Sequence, residues 1–348
     1  MKVANYHGSL RALEEACEML DGRVECLANP LVGPQIPGLP SSHRLNRLLW
    51  RGGILFRHLR LWFKVLARRR AGRIMVREFS TIPFGLLSPL FRPFREKLML
   101  VVNHNLQWAE RSPLERRWFR RLVSGGFHFI LFETDRMPIV EVLGLSKSQY
   151  TLLPHPVTAS PAKSKRREDG PLRIGLAGYY RKEKGVDELL EALLKEKVPG
   201  WEIVLGLPNA GVFERESKLW RRHDEFSIVD TAGHEAYGRF IAECDVVIQN
   251  YAAEAYRFRP SGIVADAAGK GTPVIVPDFP VIHSQVHSPV CIGETFCDID
   301  EIAPLLERVR EKMKRGKYDF EGYRKVRNAR VLASLLGEAI GHTLPKQV

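Results

Sequence analysis

The feature that most constrains this chain is an alternation of short apolar runs with stretches of helical period, seen in two blocks. Runs apolar on both faces, each followed by an amphipathic segment, are what parallel sheets with crossover helices require. The first block reads VANYH, GRIMV, KLMLVVNHN, HFILFET and YTLLPHP, with helical pattern over residues 10–20 and 112–123. The second reads LRIGLAG, WEIVLGL, FSIVD, CDVVIQN and TPVIVPD, with helices expected over 186–196, 234–243 and 262–270. Between them ASPAKSKRREDGP is polar, charged and without apolar period, which marks an exposed linker over 159–171. The expected fold class is therefore α/β, with two Rossmann-like domains over 1–158 and 172–317. At 348 residues each half is long enough to bury its own core.

Composition narrows the function. With 45% hydrophobic and 27% charged residues the chain has the make-up of a soluble globular protein. No apolar run reaches the ~18–20 residues of a membrane-crossing helix, and the start MKVANYHGSL lacks a signal peptide's apolar region, so the expected location is cytoplasmic. The five cysteines, Cys17, Cys26, Cys244, Cys291 and Cys297, are scattered and lack the close pairing of a zinc site. They are read as reduced and structural, and no metal site is expected.

The net charge of +13 is unevenly spread. Residues 1–158 carry 24 Lys and Arg against 12 Asp and Glu, and the remainder 29 against 28. A field of one sign on one domain attracts anionic partners. No acidic residue occurs from Cys26 to Arg77, and within that stretch Leu55, Leu59, Trp62 and Leu66 form one helical stripe opposite Arg57, Arg60, Lys64 and Arg68. An ordinary helix packed on a sheet would show this pattern. So would a surface that rests on an anionic bilayer, to which the cluster Arg68-Arg69-Arg70 and the patch Arg116, Arg117, Arg120 and Arg121 would add.

In open parallel sheets ligands bind beyond the carboxyl ends of the strands, where loops and helix N-termini present unpaired N–H groups to anions. Two segments fit. At the end of LRIGLAG, Gly178 allows close backbone approach, Arg181 and Lys184 then supply cations, and a helix begins near Val186, a set suited to a diphosphate. In NYAAEAYRFRPSGIVADAAGKGTPVIVPD, Tyr251, Tyr256, Arg257 and Arg259 precede Ser261-Gly262, which stands where a helix N-cap belongs. The Ser261 hydroxyl and neighbouring N–H groups are of the kind that binds phosphate. Asp266, one turn on, is a carboxylate able to accept from two ribose hydroxyls. Each feature alone is accounted for by turn shape, capping or solvation, but together they point to a nucleotide.

The Lys-Gly loop after a strand, the Ser-Gly helix start and the run ADAAGKGTPVIVPD resemble the donor domain of nucleotide-sugar glycosyltransferases with the GT-B fold, specifically the retaining family four, over about residues 172–280. The resemblance implies two Rossmann-like domains facing a central cleft, with a C-terminal helical segment over 318–348 that crosses back to the first domain. Asp266-Ala267 corresponds to the family's Glu-Ala, whose carboxylate grips the ribose, and Lys184 to its phosphate-binding lysine. The chain departs from the pattern at Phe258, where the family often has a second glutamate, and at Tyr179, where it has an arginine; Arg181, Arg257 and Arg259 are the candidate substitutes. In the first domain the resemblance is looser. His104 in LVVNHN is similar to a cleft histidine, Pro154-His155-Pro156 to the hinge segment, and Tyr6, His7, Gly8 and Glu133 are acceptor-side candidates at strand ends.

The resemblance thus implies sugar transfer from a nucleoside diphosphate sugar with retention, without cofactor or obligatory metal, to a glycan or lipid-linked acceptor in surface polysaccharide or glycolipid assembly. Catalytic candidates are His104, Lys184 and Arg181, and a place on the inner face of the cell membrane would suit the basic domain. A noncatalytic sugar-nucleotide-binding relative and a sugar-nucleotide epimerase of similar fold share these motifs. Nucleic acid binding is the weakest alternative, because the basic excess accompanies no reading module.

Overall fold

The computed structural model describes residues 8–21, 23–27, 44–157, 170–196, 200–208 and 226–341. The expected strand VANYH, the candidates Tyr6 and His7, and positions 159–169 of the expected linker lie outside the described residues. Those described divide into two compact units, one of 14–153 with 332–341 and one of 154–331 with 8–13.

The described elements start with α1 (Gly8–Glu18) and β1 (Val24–Leu27), followed by the long α2 (Arg44–Ala67). Then come β2 (Arg73–Val76), α3 (Thr81–Phe91), β3 (Leu98–Val101), α4 (Asn105–Arg111), α5 (Pro113–Ser124), β4 (His128–Phe132), α6 (Pro138–Leu143) and β5 (Tyr150–Leu153). The five strands make one parallel sheet in chain order. Periodicity does not single out β1, because VECL is short and holds a glutamate at a partly exposed position; pairing with β2 makes it a strand. α5 starts where its sequence says it should, with Ser112 accepting from the Glu115 N–H and Pro113 in the first turn. The core of this unit is aromatic: Phe84 stacks on Phe91 with centroids 4.6 Å apart and meets Phe79 and Phe127 edge-on, and Phe119 stacks on Phe129 at 5.0 Å.

The buried face of α2 differs from the expected one. Ile54, His58, Leu61 and Val65 point inward, whereas Leu55 and Leu66 are exposed and Leu59 and Trp62 are only partly covered. The cause is His58, a polar residue at a core position. Its Nδ1–H donates to the Ile54 carbonyl at 2.8 Å, and its Nε2 accepts the Ser80 N–H at 3.1 Å, an arrangement that fixes the neutral tautomer. Burial pushes its pKa down, in keeping with that assignment. Once the imidazole is seated between α2 and the start of α3, the helix is turned by about one residue from its leucine stripe.

The second unit contains β6 (Leu172–Ala177), α7 (Val186–Glu196), β7 (Trp201–Leu207), β8 (Phe226–Asp230), α8 (His234–Glu243), β9 (Val246–Ile248) and α9 (Ala253–Tyr256). It continues with α10 (Gly262–Lys270), β10 (Val274–Pro277), α11 (Pro280–His287), β11 (Gly293–Phe296), α12 (Ile302–Lys314) and α13 (Phe320–Val326), after which α14 (Ala329–Ala339) follows. α7 buries Leu189, Leu190, Leu193 and Leu194, with Asp187 and Glu188 in its first turn and Lys195 in its last, matching the helix dipole. The six strands are all parallel in the order β11-β10-β9-β6-β7-β8. Strand order reverses between β6 and β9, so the loops after these two strands diverge and open a crevice at their carboxyl ends. α8 packs so closely that a Cβ on Gly206 would lie 2.5 Å from the Phe240 ring, hence the glycine near the end of β7. Among the described residues no helix is long and apolar enough to cross a membrane.

Candidate functional site

The loop after β6 begins with Gly178, whose φ of +101° is readily open only to glycine. A Cβ there would stand 2.4 Å from Lys184 Nζ and 3.1 Å from Ile263 Cδ1. The glycine thus makes room for a lysine and for the first turn of α10 at one point. A short 3-10 turn, Lys182–Lys184, then swings the chain back before α7. The loop is tied to the strand on the other side of the switch: the Ala252 N–H donates to the Glu183 carbonyl at 3.0 Å, and Asn250 Nδ2 to the Gly185 carbonyl at 3.4 Å. A small, mainly apolar recess lies here, with Lys184, Gly178 and Gln249 beside Leu176, Val186, Leu189 and Ile248 in its lining.

Lys184 is the anomaly of this recess. It is only 9% exposed, and the hydrogen bond of its ammonium is a long one, 3.4 Å to the Ala177 carbonyl. Burial first, and then the positive charges of Arg181 and Arg259, lower its pKa to about 7, with Glu183 pulling the other way. A buried, poorly bonded ammonium facing two guanidinium groups costs stability unless an anion joins it. Arg181 is exposed, 5.3 Å over the Tyr179 ring and 3.8 Å from Glu183, while Arg259 lies 4.7 Å over the Tyr256 ring. Tyr256 in turn stacks on Tyr251 at 3.9 Å. The structure therefore brings Gly178, Arg181, Lys184, Tyr251 and Arg259 into one constellation, from segments far apart in the chain.

The start of α10 corrects one expectation. Ser261 is the N-cap, as its sequence context predicts, but its polar groups are committed inside the protein. Its hydroxyl accepts from the Val264 N–H at 3.3 Å and is 2.6 Å from the Tyr251 hydroxyl, while its N–H donates to Gln285 Oε1 at 2.8 Å. Gln285 Nε2 returns a bond to the Ser261 carbonyl at 2.9 Å. Ser261 therefore shapes the turn, and the N–H groups left for an anion are those of Gly262 and Ile263 in the first turn. Gln285, fully buried on α11, is a site residue that periodicity missed; nothing in the local sequence of α11 says that its amide closes a ring on Ser261.

Asp266 lies on α10 and accepts from the Tyr237 hydroxyl of α8 at 3.2 Å. Removal from water raises its carboxyl to about 7, against the lowering effects of Tyr237 and Lys270. Tyr237 is likewise not legible in sequence. Arg257 is exposed, 6.0 Å over the ring of Phe258, and Phe258 itself is buried, filling the position of the resemblance's second glutamate. His104 and Glu133 belong to the other unit. His104 stands at the N-cap position of α4, without a side-chain capping bond, and stacks on Trp108 at 5.6 Å. Glu133, just past β4, has a φ of +68°, a strained value for a residue with a Cβ. Gly8 is the first residue of α1. His155 is buried at the start of the second unit. No cluster of metal-ligating side chains occurs among the described residues.

Gly178→Ala is expected to weaken anion binding about tenfold or more, because the new methyl group displaces Lys184. It would also cost about 1–3 kcal/mol of stability through its backbone. Gly144→Ala is the control: its φ is +73° but nothing lies within 4 Å of the added Cβ, so it should lose stability without loss of affinity in calorimetric titration.

No protein-family model and no curated protein sequence matches this chain. Solved structures do. HepE of Anabaena in complex with UDP aligns over 98% of this chain and 97% of its own, with a TM-score of 0.64 at 12% identity. Sucrose-phosphate synthase of Thermosynechococcus elongatus aligns over 94% and 91%, with a TM-score of 0.67 at 15% identity. A glycosyltransferase of Rickettsia africae aligns over 97% and 94%, at 0.63 and 11%. The chain has the α/β fold of the GT-B glycosyltransferases, and it shares that fold almost end to end with proteins of little sequence identity.

Proposed function

We propose that this protein transfers a sugar from a nucleoside diphosphate sugar to an acceptor. The observation that carries the proposal is Lys184: a buried ammonium with one long hydrogen bond, beside two arginines, at the strand-order reversal of the second sheet. A diphosphate would give Lys184 the close anionic partner that its long bond to the Ala177 carbonyl does not. The similar structures support the choice, since HepE was crystallised with UDP and with UDP-glucose.

In this reading Lys184, Arg181 and Arg259 stabilise the charge that grows on the diphosphate as the glycosidic bond breaks, together with the Gly262 and Ile263 N–H groups. Their charges offset those of the leaving group, so the chemistry does not call for a metal or another cofactor. Asp266 holds the ribose, steadied by Tyr237. Retention, as in family four, follows if the leaving phosphate itself takes the acceptor's proton. The acceptor, a glycan or lipid-linked glycan, is assigned to the unit that holds His104 and Glu133, and a place in surface polysaccharide assembly would fit it. Buried Phe258 favours a second reading, a sugar-nucleotide binder without turnover, because no carboxylate stands there for the sugar's far hydroxyls.

A thermal-shift screen over nucleoside diphosphates and their sugars, followed by a hydrolysis assay with the best donor, tests both readings. At about a hundred times Kd, a ligand that binds only the folded state adds ~2.7 kcal/mol and raises Tm measurably. A donor that both shifts Tm and is slowly hydrolysed supports transfer. A shift without hydrolysis or transfer supports the binder, and no shift with any nucleotide contradicts the proposal.

A further inference from the structure

The rotation of α2 about His58 leaves an unusual outer surface. On a helix packed against a sheet, the side away from the core is normally polar. Here Phe56 is 65% and Phe63 60% exposed, and Leu49, Leu55 and Leu66 are 41%, 38% and 37% exposed. At 100° per residue, Phe56 and Phe63 point almost directly opposite the buried Ile54 and Val65. The apolar surface continues toward α3, where Leu86 and Leu90, one turn apart, are 53% and 40% exposed. The Trp62 indole donates to the Leu90 carbonyl at 3.1 Å and joins the two helices along this edge. Two phenylalanines and several leucines in water are a contiguous patch that a soluble surface seldom leaves uncovered.

The charges around the patch say what covers it. Arg60 and Lys64 run along one flank of the phenylalanines, and Arg69 and Arg70 follow the helix end. No Asp or Glu lies in the sequence from Cys26 to Arg77. A protein partner of mixed charge would normally find carboxylates to pair with its own cations. Glu25 pairs with Arg68 at 2.8 Å near the helix end, and the cations that remain along this flank, beside an aromatic centre, complement a surface that is negative outside and apolar within.

We propose that the α2–α3 face docks on an anionic phospholipid bilayer, with Phe56 and Phe63 inserted at the level of the glycerol backbone and Arg60, Lys64, Arg69 and Arg70 against the headgroup phosphates. The patch belongs to the unit without the nucleotide constellation, so docking is independent of the donor reading. It would place an acceptor-side domain at the membrane, where a lipid-linked acceptor is found.

The test is sedimentation of the full chain with vesicles of phosphatidylcholine alone, or of phosphatidylcholine with phosphatidylglycerol, at low and at high salt. The wild-type protein should bind the anionic vesicles, at least about tenfold more weakly with neutral ones, and more weakly as salt rises. The pair Phe56→Ser and Phe63→Ser, at exposed positions where folding is not at stake, should reduce partitioning at least about tenfold. Unchanged Tm and unchanged nucleotide binding in that variant would separate docking from the donor site. The proposal is overturned if wild type ignores anionic vesicles at low salt, or if the double variant binds them equally well. A wild-type dimer that the double variant dissolves, without vesicle binding, would overturn it too and assign the patch to a second copy of the chain.

Discussion

Replacing Lys184 by methionine is expected to lower turnover about 10²–10³-fold, the loss seen when one preorganised donor to a developing negative charge is removed, while making the unliganded protein more stable. The two effects share one cause. Methionine has similar length and no charge, so it relieves the burial of an ammonium that faces Arg181 and Arg259. The sign of the stability effect can be followed with pH. The folded protein holds this lysine at about 7, whereas the unfolded chain holds it near ~10.4. Between those values the unfolded state binds more protons, so the lysine's cost is full at and below pH 7 and vanishes as pH rises toward the unfolded value. The Tm gain of Lys184→Met should therefore be largest near neutrality and shrink in alkali. A variant that kept full turnover, or that was destabilised at pH 7 like an ordinary core substitution, would remove Lys184 from the site.

Asp266→Asn should change the shape of the affinity profile rather than only its height. Binding of a nucleotide sugar needs Lys184 charged and Asp266 ionised, and both titrate at about 7 in the free protein. Wild-type affinity should pass through a maximum near neutrality and fall roughly tenfold per pH unit well away from it on either side. In Asp266→Asn the acid limb disappears and the alkaline limb remains. The loss relative to wild type is then about tenfold at the optimum and small at low pH, where the wild-type carboxyl is already protonated. Tyr237→Phe removes the hydrogen bond that favours the carboxylate, so it should move the acid limb to higher pH and leave the alkaline limb in place. Calorimetric titration across the neutral range distinguishes these cases. An acid limb retained in Asp266→Asn would exclude Asp266 from the ribose contact.

Local signals carry much of this fold and part of its site. α10 is readable end to end, since Ser261 is a natural N-cap and Gly271, with a φ of +74°, stops the helix in the left-handed region that suits glycine. The loop after β6 is readable because a glycine followed by cations at a strand end is the arrangement that anion binding at a parallel sheet calls for. Burial that arises between distant segments leaves no such local mark. Lys184 looks solvated beside Arg181 and Glu183 until the Asn250 to Ala252 turn closes over it. Gln285 and Tyr237 reach Ser261 and Asp266 from positions 24 and 29 residues away. β11 escapes the apolar pattern because GETF contains a glycine and a glutamate. In the structure Glu294 is buried, its carboxylate 2.6 Å from Lys312 Nζ and 2.8 Å from the Tyr318 hydroxyl, and so a charged residue sits inside the sheet. In α2 a single buried histidine outweighs a stripe of leucines, and it produces the exposed phenylalanines.

In this reading the ammonium of Lys184 meets a diphosphate in a recess where, without one, it is about half-deprotonated near pH 7. Calorimetry of a nucleoside diphosphate sugar, whose own phosphates do not titrate near neutrality, in buffers of different ionisation enthalpy counts the protons exchanged on binding. Uptake approaching one proton is expected at pH 8, as Lys184 recharges against the anion, and release at pH 6, as Asp266 ionises against the ribose. The pH 8 uptake should be absent in Lys184→Met. Binding with no proton exchange at pH 8, or with the same exchange in that variant, would contradict this reading.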